Sequence, residues 1–216
     1  MVRNCCLILV AVSGILPAVE QPWKDKAVTE WSDSDARQIL SESPWAKSSA
    51  PKIERLLNGG RGSRVGIGRS GVGVGRPRQS SQGTLPNLIV RWESALPVQE
   101  AQLKLRNADA PSISEDDYMI AVLGLPSSIV WADPGVLAGQ LKHEGELRRE
   151  GKKPVRSSEA RVLPRDDGLV ILFLFPRSNE ISPGDKTIEF KARVGVFDID
   201  QSYDLSEMIF SGKLQL

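Results

Sequence analysis

Thr187 to Val194 alternates without error. Ile188, Phe190, Ala192 and Val194 fall on one face, and Thr187, Glu189, Lys191 and Arg193 on the other. Strict alternation predicts a strand with one buried and one wet face. Leu169 to Phe175 is an unbroken apolar run, which predicts a central strand covered on both faces. Ala160 to Leu163 leads into that run through Pro164-Arg165-Asp166-Asp167-Gly168, and a connection of this length ending in Asp-Gly predicts a hairpin. Pro183-Gly184-Asp185 marks the next turn. Gly195 breaks the phase before Val196-Phe197-Asp198-Ile199 resumes it with a shift, as a turn or bulge would. Leu88 to Trp92 and Tyr118 to Leu123 are two further strands, the second closed by Gly124-Leu125-Pro126. Ile209-Phe210 and Lys213 to Leu216 point to a last one.

Helical spacing interrupts this β pattern twice. Pro97 to Leu105 carries proline in the first turn and Val98, Ala101 and Leu105 on one face. Asp133-Pro134 has the form of an N-cap followed by proline at the first helical position, and the segment it opens carries Leu137, Leu141 and, less regularly, Leu147. The order of elements predicts an α+β domain over residues 84–216, mainly antiparallel sheet with two helices. The alternative is an all-β sandwich in which both helical readings are wrong.

Residues 19–57 read as a separate short helical segment bearing tryptophans. Ser32 as N-cap and Asp35 three residues on form an acidic variant of the capping box. Trp31 before the cap and Ala36 at the fourth helical position have the spacing of a hydrophobic staple. Asp33 and Asp35 lie in the first turn, where the helix dipole favours negative charge. Ala36, Ile39 and Leu40 make an apolar stripe, and Pro44 disfavours helical geometry at Ser43. A second helical patch is predicted from Ile53 to Leu57, stopped by Asn58-Gly59-Gly60. Residues 58–83 read as a flexible linker of Gly, Ser, Arg and Pro, with Arg61, Arg64, Arg69, Arg76 and Arg78 and no acidic residue.

Residues 1–18 have the three-part plan of a secretory signal peptide. Arg3 is the positive end, Cys5 to Leu16 the apolar core, and Pro17-Ala18 the cleavage region. Both cysteines, Cys5 and Cys6, lie inside it, so the mature chain is expected to hold no disulfide, no thiol nucleophile and no cysteine metal site. Periplasmic or secreted localisation follows, with no transmembrane span after cleavage. Charge is balanced, 28 Lys and Arg against 27 Asp and Glu, which argues against a general nucleic-acid coat.

Candidate chemistry is sparse. Gly66, Gly68 and Gly71 spell G-x-G-x-x-G, but no strand precedes them and no helix follows, so no dinucleotide cofactor is expected. His143 is the one histidine, too little for a triad or a histidine metal site. Glu115-Asp116-Asp117 and Asp198-Ile199-Asp200 are acidic clusters without the pattern of a calcium loop, so no metal is expected. Nothing singles out a pair of catalytic carboxylates. The linker arginines are candidates for contact with an anion. Of five tryptophans (23, 31, 45, 92 and 131), three lie before residue 58. Trp31, Ile39, Leu40 and Trp45 are therefore candidates for docking a partner, the alternative being that they pack on their own domain.

Within Glu30 to Lys47, the residues Trp31-Ser32, Ala36, Leu40 and Ser43-Pro44-Trp45-Ala46 follow the spacing W-(S/T)-x-x-x-A-x-x-x-L-x-x-S-P-W-A. This segment resembles one seen in uncharacterised exported proteins of Acidobacteria. The pieces around Arg91 to Ala95, Leu169 to Arg177 and Gly212 to Leu214 look similar too. The resemblance implies export and a bacterial origin, and it transfers no functional residues. The expectation is a non-catalytic interaction or envelope-associated module whose partner is a protein or an envelope polymer. The alternatives are an envelope hydrolase working through Asp/Glu, and polyanion binding through the Arg/Gly linker.

Overall fold

A computed structural model of the chain describes residues 21–53, 86–129, 133–166 and 168–216. The chain runs α1 (Asp33–Ser41), β1 (Ala46–Ser49), β2 (Lys52–Ile53), β3 (Leu88–Trp92), α2 (Leu96–Lys104), β4 (Asp117–Leu125) and α3 (Pro134–Leu141). It continues through β5 (Gly145–Arg149), β6 (Val155–Arg156), β7 (Glu159–Arg165), β8 (Gly168–Pro176), β9 (Thr187–Val194), β10 (Phe197–Asp204), β11 (Ile209–Phe210) and β12 (Lys213–Leu214). The described residues thus form mostly antiparallel sheet with three α-helices.

One sheet has the order β1-β3-β4-β8-β7 and the other β2-β10-β9-β5-β6. Each edge of the first continues directly into an edge of the second. β1 passes into β2 through Ala50 and Pro51, and β6 into β7 through Ser157 and Ser158. The two sheets are therefore joined at both edges by continuous chain, like a flattened barrel. At the second corner, Ser157 N donates to Gly145 O (2.9 Å) and Ser158 N to Leu174 O (2.8 Å), so the crossing chain keeps one bond to each sheet. Gly145 is required there, since a Cβ would stand 2.6 Å from a ring carbon of Phe173.

Side chains fill the space between the sheets. Phe173 of β8 packs on Phe190 of β9 with centroids 5.6 Å apart, and Trp92 of β3 meets Tyr203 of β10 edge-on at 5.6 Å. The Tyr203 hydroxyl donates to Val90 O (2.9 Å), and burial pushes its pKa upward. β8 pairs with β4 on one side and β7 on the other. Its Ile171, Phe173 and Phe175 face the shared core. Its Val170, Leu172 and Leu174 form a second cluster with Met119 and Ala121, against which Ile113 packs.

Local signals placed most elements. α1 has the capping box: Asp35 N donates to Ser32 Oγ (3.1 Å), and Ser32 N to Asp35 Oδ2 (2.8 Å). β9 buries Ile188, Phe190, Ala192 and Val194, and Gly195 turns into β10 with φ +59°. Three expectations change. Leu147 belongs to β5 and not to a helix, because α3 stops at Leu141 and the chain turns at Gly145 to pair with β9. Ile53, expected in a helical patch, lies in β2 opposite Phe197, and 54–57 lie outside the described residues. The last strand is instead a small hairpin, β11 with β12.

Residues 21–53 share the core of the rest. Trp23, Trp31 and Trp45 are at most 1% exposed and form one cluster, with Trp23 centroids 6.4 Å from Trp31 and 5.7 Å from Trp45. β1 pairs with β3 so that Ser49 stands opposite Leu88. Four positions further on, Ile53 has already crossed to the second sheet. The expected signal segment, the expected linker with its five arginines, the G-x-G-x-x-G glycines and Trp131 lie outside the described residues.

Candidate functional site

With the space between the sheets occupied by aromatic and aliphatic side chains, the concavities lie on the outer surface. One of them, about 520 Å³, is lined by Gln21, the turn from Ser41 to Pro44, β1 residues Ala46 to Ser48, Asn87, Ile89 and Glu207. Its floor is built by the Ser-Pro-Trp-Ala stretch. The Ser43 hydroxyl donates to Ile39 O (2.7 Å) and accepts from Trp45 N and Ala46 N (3.2 Å each). Ser43 and Ala46 also exchange main-chain bonds of 2.9 and 3.2 Å. One serine thus closes the last turn of α1 and starts β1. Trp45 points inward and donates its indole N–H to Gln215 O (2.8 Å).

A buried polar network fixes the same corner from beneath. Arg91 Nη1 donates to Leu40 O (3.2 Å) at the end of α1, and its Nε and Nη2 hold Glu93 Oε1 at 2.8 and 2.6 Å. The other Glu93 oxygen accepts from Gln102 Nε2 of α2 (2.6 Å). Arg91, Glu93 and Gln102 are all buried. The arginine meets an otherwise orphaned carbonyl at a helix C-terminus, and the carboxylate compensates its charge.

Charge in the cleft is uneven. Glu42 and Glu207 are exposed on its walls. Lys47 lies with Nζ 5.6 Å from the centre of the Tyr203 ring. A neighbouring hollow of about 440 Å³ holds Arg177, whose guanidinium stacks on Tyr118 at 4.5 Å and donates to Leu216 O (2.9 Å). That cation is already engaged by its own chain.

The residues singled out by sequence have other places. Trp31, Ile39 and Trp45 are at most 1% exposed and Leu40 is half-buried, so these four do not form a free docking face. They are the core side of the corner whose outer side is the cleft. The physical reason is the pairing of β1 with β3, which draws the whole segment into the common core. Arg61, Arg64, Arg69, Arg76 and Arg78 lie outside the described residues. His143 is exposed with Nδ1 3.1 Å from Ser157 O. Asp117 accepts from the Ser114 hydroxyl (2.8 Å). Asp198 pairs with Arg193 (3.5 Å) and Asp200 with Lys191 (3.0 Å), part of a checkerboard of opposite charges on the wet face of the second sheet. Among the described residues, no group of three or more His, Cys, Asp or Glu is arranged to hold a metal, and no helix is long and apolar enough to cross a membrane.

Sequence reading missed Glu42, Lys47, Ser48, Asn87 and Glu207. Glu42 stands beside the Ser-Pro-Trp-Ala motif and could have been found there. Glu207 gives no local signal, because only the packing of the tail residues against Trp31 and Trp45 brings it near. Fold and cleft define, over the described residues, a mostly antiparallel sheet structure with three α-helices, a filled interior and a polar surface cleft. None of the protein-family models, curated proteins and solved structures compared with the chain matches it.

Proposed function

We propose that the chain is an exported, envelope-associated interaction module that acts without catalysis, and that its contact surface is the cleft along Ser41 to Ser48. The observation that carries this reading is the pre-set wall of the cleft. Ser43 makes three side-chain hydrogen bonds, and the Arg91–Glu93–Gln102 network holds α1 from below. A contact surface built on a rigid support loses little entropy on binding. Export rests on the apolar run Cys5 to Leu16 behind Arg3, and the resemblance to exported acidobacterial proteins supports it. The architecture is read as α+β and not as an all-β sandwich, since α2 buries Val98 and Ala101 and α3 buries Leu137 and Leu141 in the common core.

The test is site-specific cross-linking. A photoreactive residue at Ser48 is expected to trap one partner from the envelope of the source cell, and the same group at Thr187 is expected to trap none. Equal trapping at both positions would remove the cleft from the reading. A second reading, an Asp/Glu hydrolase, is favoured by one observation: Glu42 and Glu207 line the same cleft. Turnover of an envelope glycan that is lost in both Glu42→Gln and Glu207→Gln would establish that reading in place of the first.

A further inference from the structure

We propose that two copies of the chain pair through α2, each inserting Leu103 into a hollow on the other. This surface is separate from the cleft. The apolar residues of α2 do not keep to one side. Val98 and Ala101 face the shared core, while Leu96 and Leu103 are 39% and 71% exposed. Positions 96 and 103 lie two turns apart along the same side of a helix. A single exposed leucine is ordinary. Leu103, though, stands on the rim of a hollow of about 380 Å³ whose lining includes Gln99, Gln102, Ala110, Pro111 and Ile113. A projecting apolar side chain and a partly apolar recess thus lie side by side. That is what an isologous contact needs, since each copy must offer both the knob and the hole.

The recess is preformed. Asn107 N donates to Gln102 O (3.0 Å) and Ala110 N to Asn107 O (3.2 Å), which fixes the turn after α2. Gln102 is buried with its amide on Glu93 (2.6 Å), and Ile113 packs on the cluster around Met119. A rigid recess loses little entropy when it is filled. Charge complementarity selects a second copy as the occupant. Glu100 and Arg106 lie three positions before and three after Leu103. Arg106 N donates to Leu103 O (3.0 Å), which keeps Arg106 one turn beyond it. A two-fold axis through Leu103 runs the two helices antiparallel, so each position after 103 faces the equally distant position before it. Glu100 of each copy then meets Arg106 of the other, and Lys104 falls opposite Gln102, so no like charges are opposed. Antiparallel helices also bring opposite dipole ends together. α2 has nine residues. At about 1.5 Å each they make a short contact, and a dissociation constant in the micromolar range is expected.

The test is sedimentation velocity on the full chain from roughly 1 to 500 µM, a range that brackets such an affinity. The parent is expected to pass from monomer to dimer with concentration. Leu103→Asp is expected to weaken the dimer more than about a hundredfold, because two leucines leave buried sites. Glu100→Arg and Arg106→Glu are each expected to weaken it about tenfold, since two ion pairs are lost and replaced by repulsion. An equimolar mixture of those two variants is expected to regain the parent's affinity, because in the mixed pair every cation again faces an anion. All three positions are at the surface, and the unfolding midpoint of each variant checks that it is folded. A chain that stays monomeric over the whole range would overturn the proposal. So would a dimer that Leu103→Asp leaves unchanged, or a mixture no tighter than its separate components. A dimer lost on deletion of residues 58–83 would also overturn it, by placing the contact elsewhere. None of these outcomes depends on what is trapped at Ser48, so the reading of the cleft stands or falls separately.

Discussion

Trp45 and Gln215 are 170 positions apart, and the indole N–H of one donates to the main-chain oxygen of the other at 2.8 Å. That bond ties the turn after α1 to the residues that follow the β11–β12 hairpin. Trp45→Phe keeps most of the ring packing and orphans the Gln215 oxygen, so a loss of about 1–2 kcal/mol is expected. Trp45→Ala adds a cavity and is expected to cost about 3–5 kcal/mol. Denaturant unfolding of both variants separates the hydrogen bond from the packing. An unchanged midpoint in Trp45→Phe would mean that the bond contributes nothing.

The capping box of α1 makes a pH prediction. Lys26 Nζ donates to Asp35 Oδ2 (2.8 Å), the Ser32 main-chain N–H adds a second donor, and together they hold the Asp35 carboxyl at about 2, against an ordinary 3.8. A depressed carboxylate contributes stability that is full above the ordinary value and fades as pH falls toward the folded one. The parent is therefore expected to lose stability between about pH 4 and pH 2, and Asp35→Asn to lose less over the same interval. Parallel melting curves for the two proteins across that range would refute the assignment. At neutral pH, Ser32→Ala is expected to cost about 1 kcal/mol.

Arg91 and Glu93 form a buried ion pair, and each alone would be a buried charge without compensation. Glu93→Leu or Arg91→Met is expected to destabilise by about 3–5 kcal/mol, whereas the double variant is expected to recover most of that loss. A double-mutant cycle by chemical denaturation measures the difference. Additive losses would show that the pair acts as two separate contacts.

Because Ser49 stands opposite Leu88, residues 21–53 and residues 86–216 share a sheet and a core. Deleting residues 58–83 is expected to leave the fold intact and to stabilise it by about 1 kcal/mol, since a shorter connection costs less closure entropy. A chain cut at a protease site engineered into 58–83 is expected to stay together on gel filtration without denaturant. Separation of the two pieces would contradict the shared core.

Gly145 reaches the corner between sheets with no room for a side chain, its Cβ position lying 2.6 Å from Phe173 and 3.0 Å from Ser157 Oγ. Gly145→Ala is expected to destabilise by about 1–3 kcal/mol through overpacking. Gly139→Ala, which meets nothing within 4 Å, serves as the control and is expected to be neutral or slightly stabilising. Similar unfolding midpoints for the two variants would argue against a tight corner.

Local chemistry by itself determined much of this protein. The Ser32–Asp35 cap, the alternation from Thr187 to Val194, the apolar run from Leu169 to Phe175 and the proline starts of α2 and α3 each act within a turn or a strand, so neighbouring residues suffice to specify them. The W-x-x-x-x-A-x-x-x-L-x-x-S-P-W-A segment was visible too. Its tryptophans, alanines and Ser43 prove to be the residues that build a capped helix and a closed turn. Tertiary structure decided the rest. Whether Trp31 and Trp45 face a partner or their own core depends on β1 pairing with β3 across a long intervening stretch, and no periodicity records a partner that far along the chain. Leu147 read as helical because apolar spacing cannot register a turn at Gly145 made to meet β9. The cleft, with Glu42 and Glu207 both in its lining, exists only once the tail residues pack on the tryptophan cluster. Surface carboxylates carry no pattern of their own, and only folding gives two of them a common site.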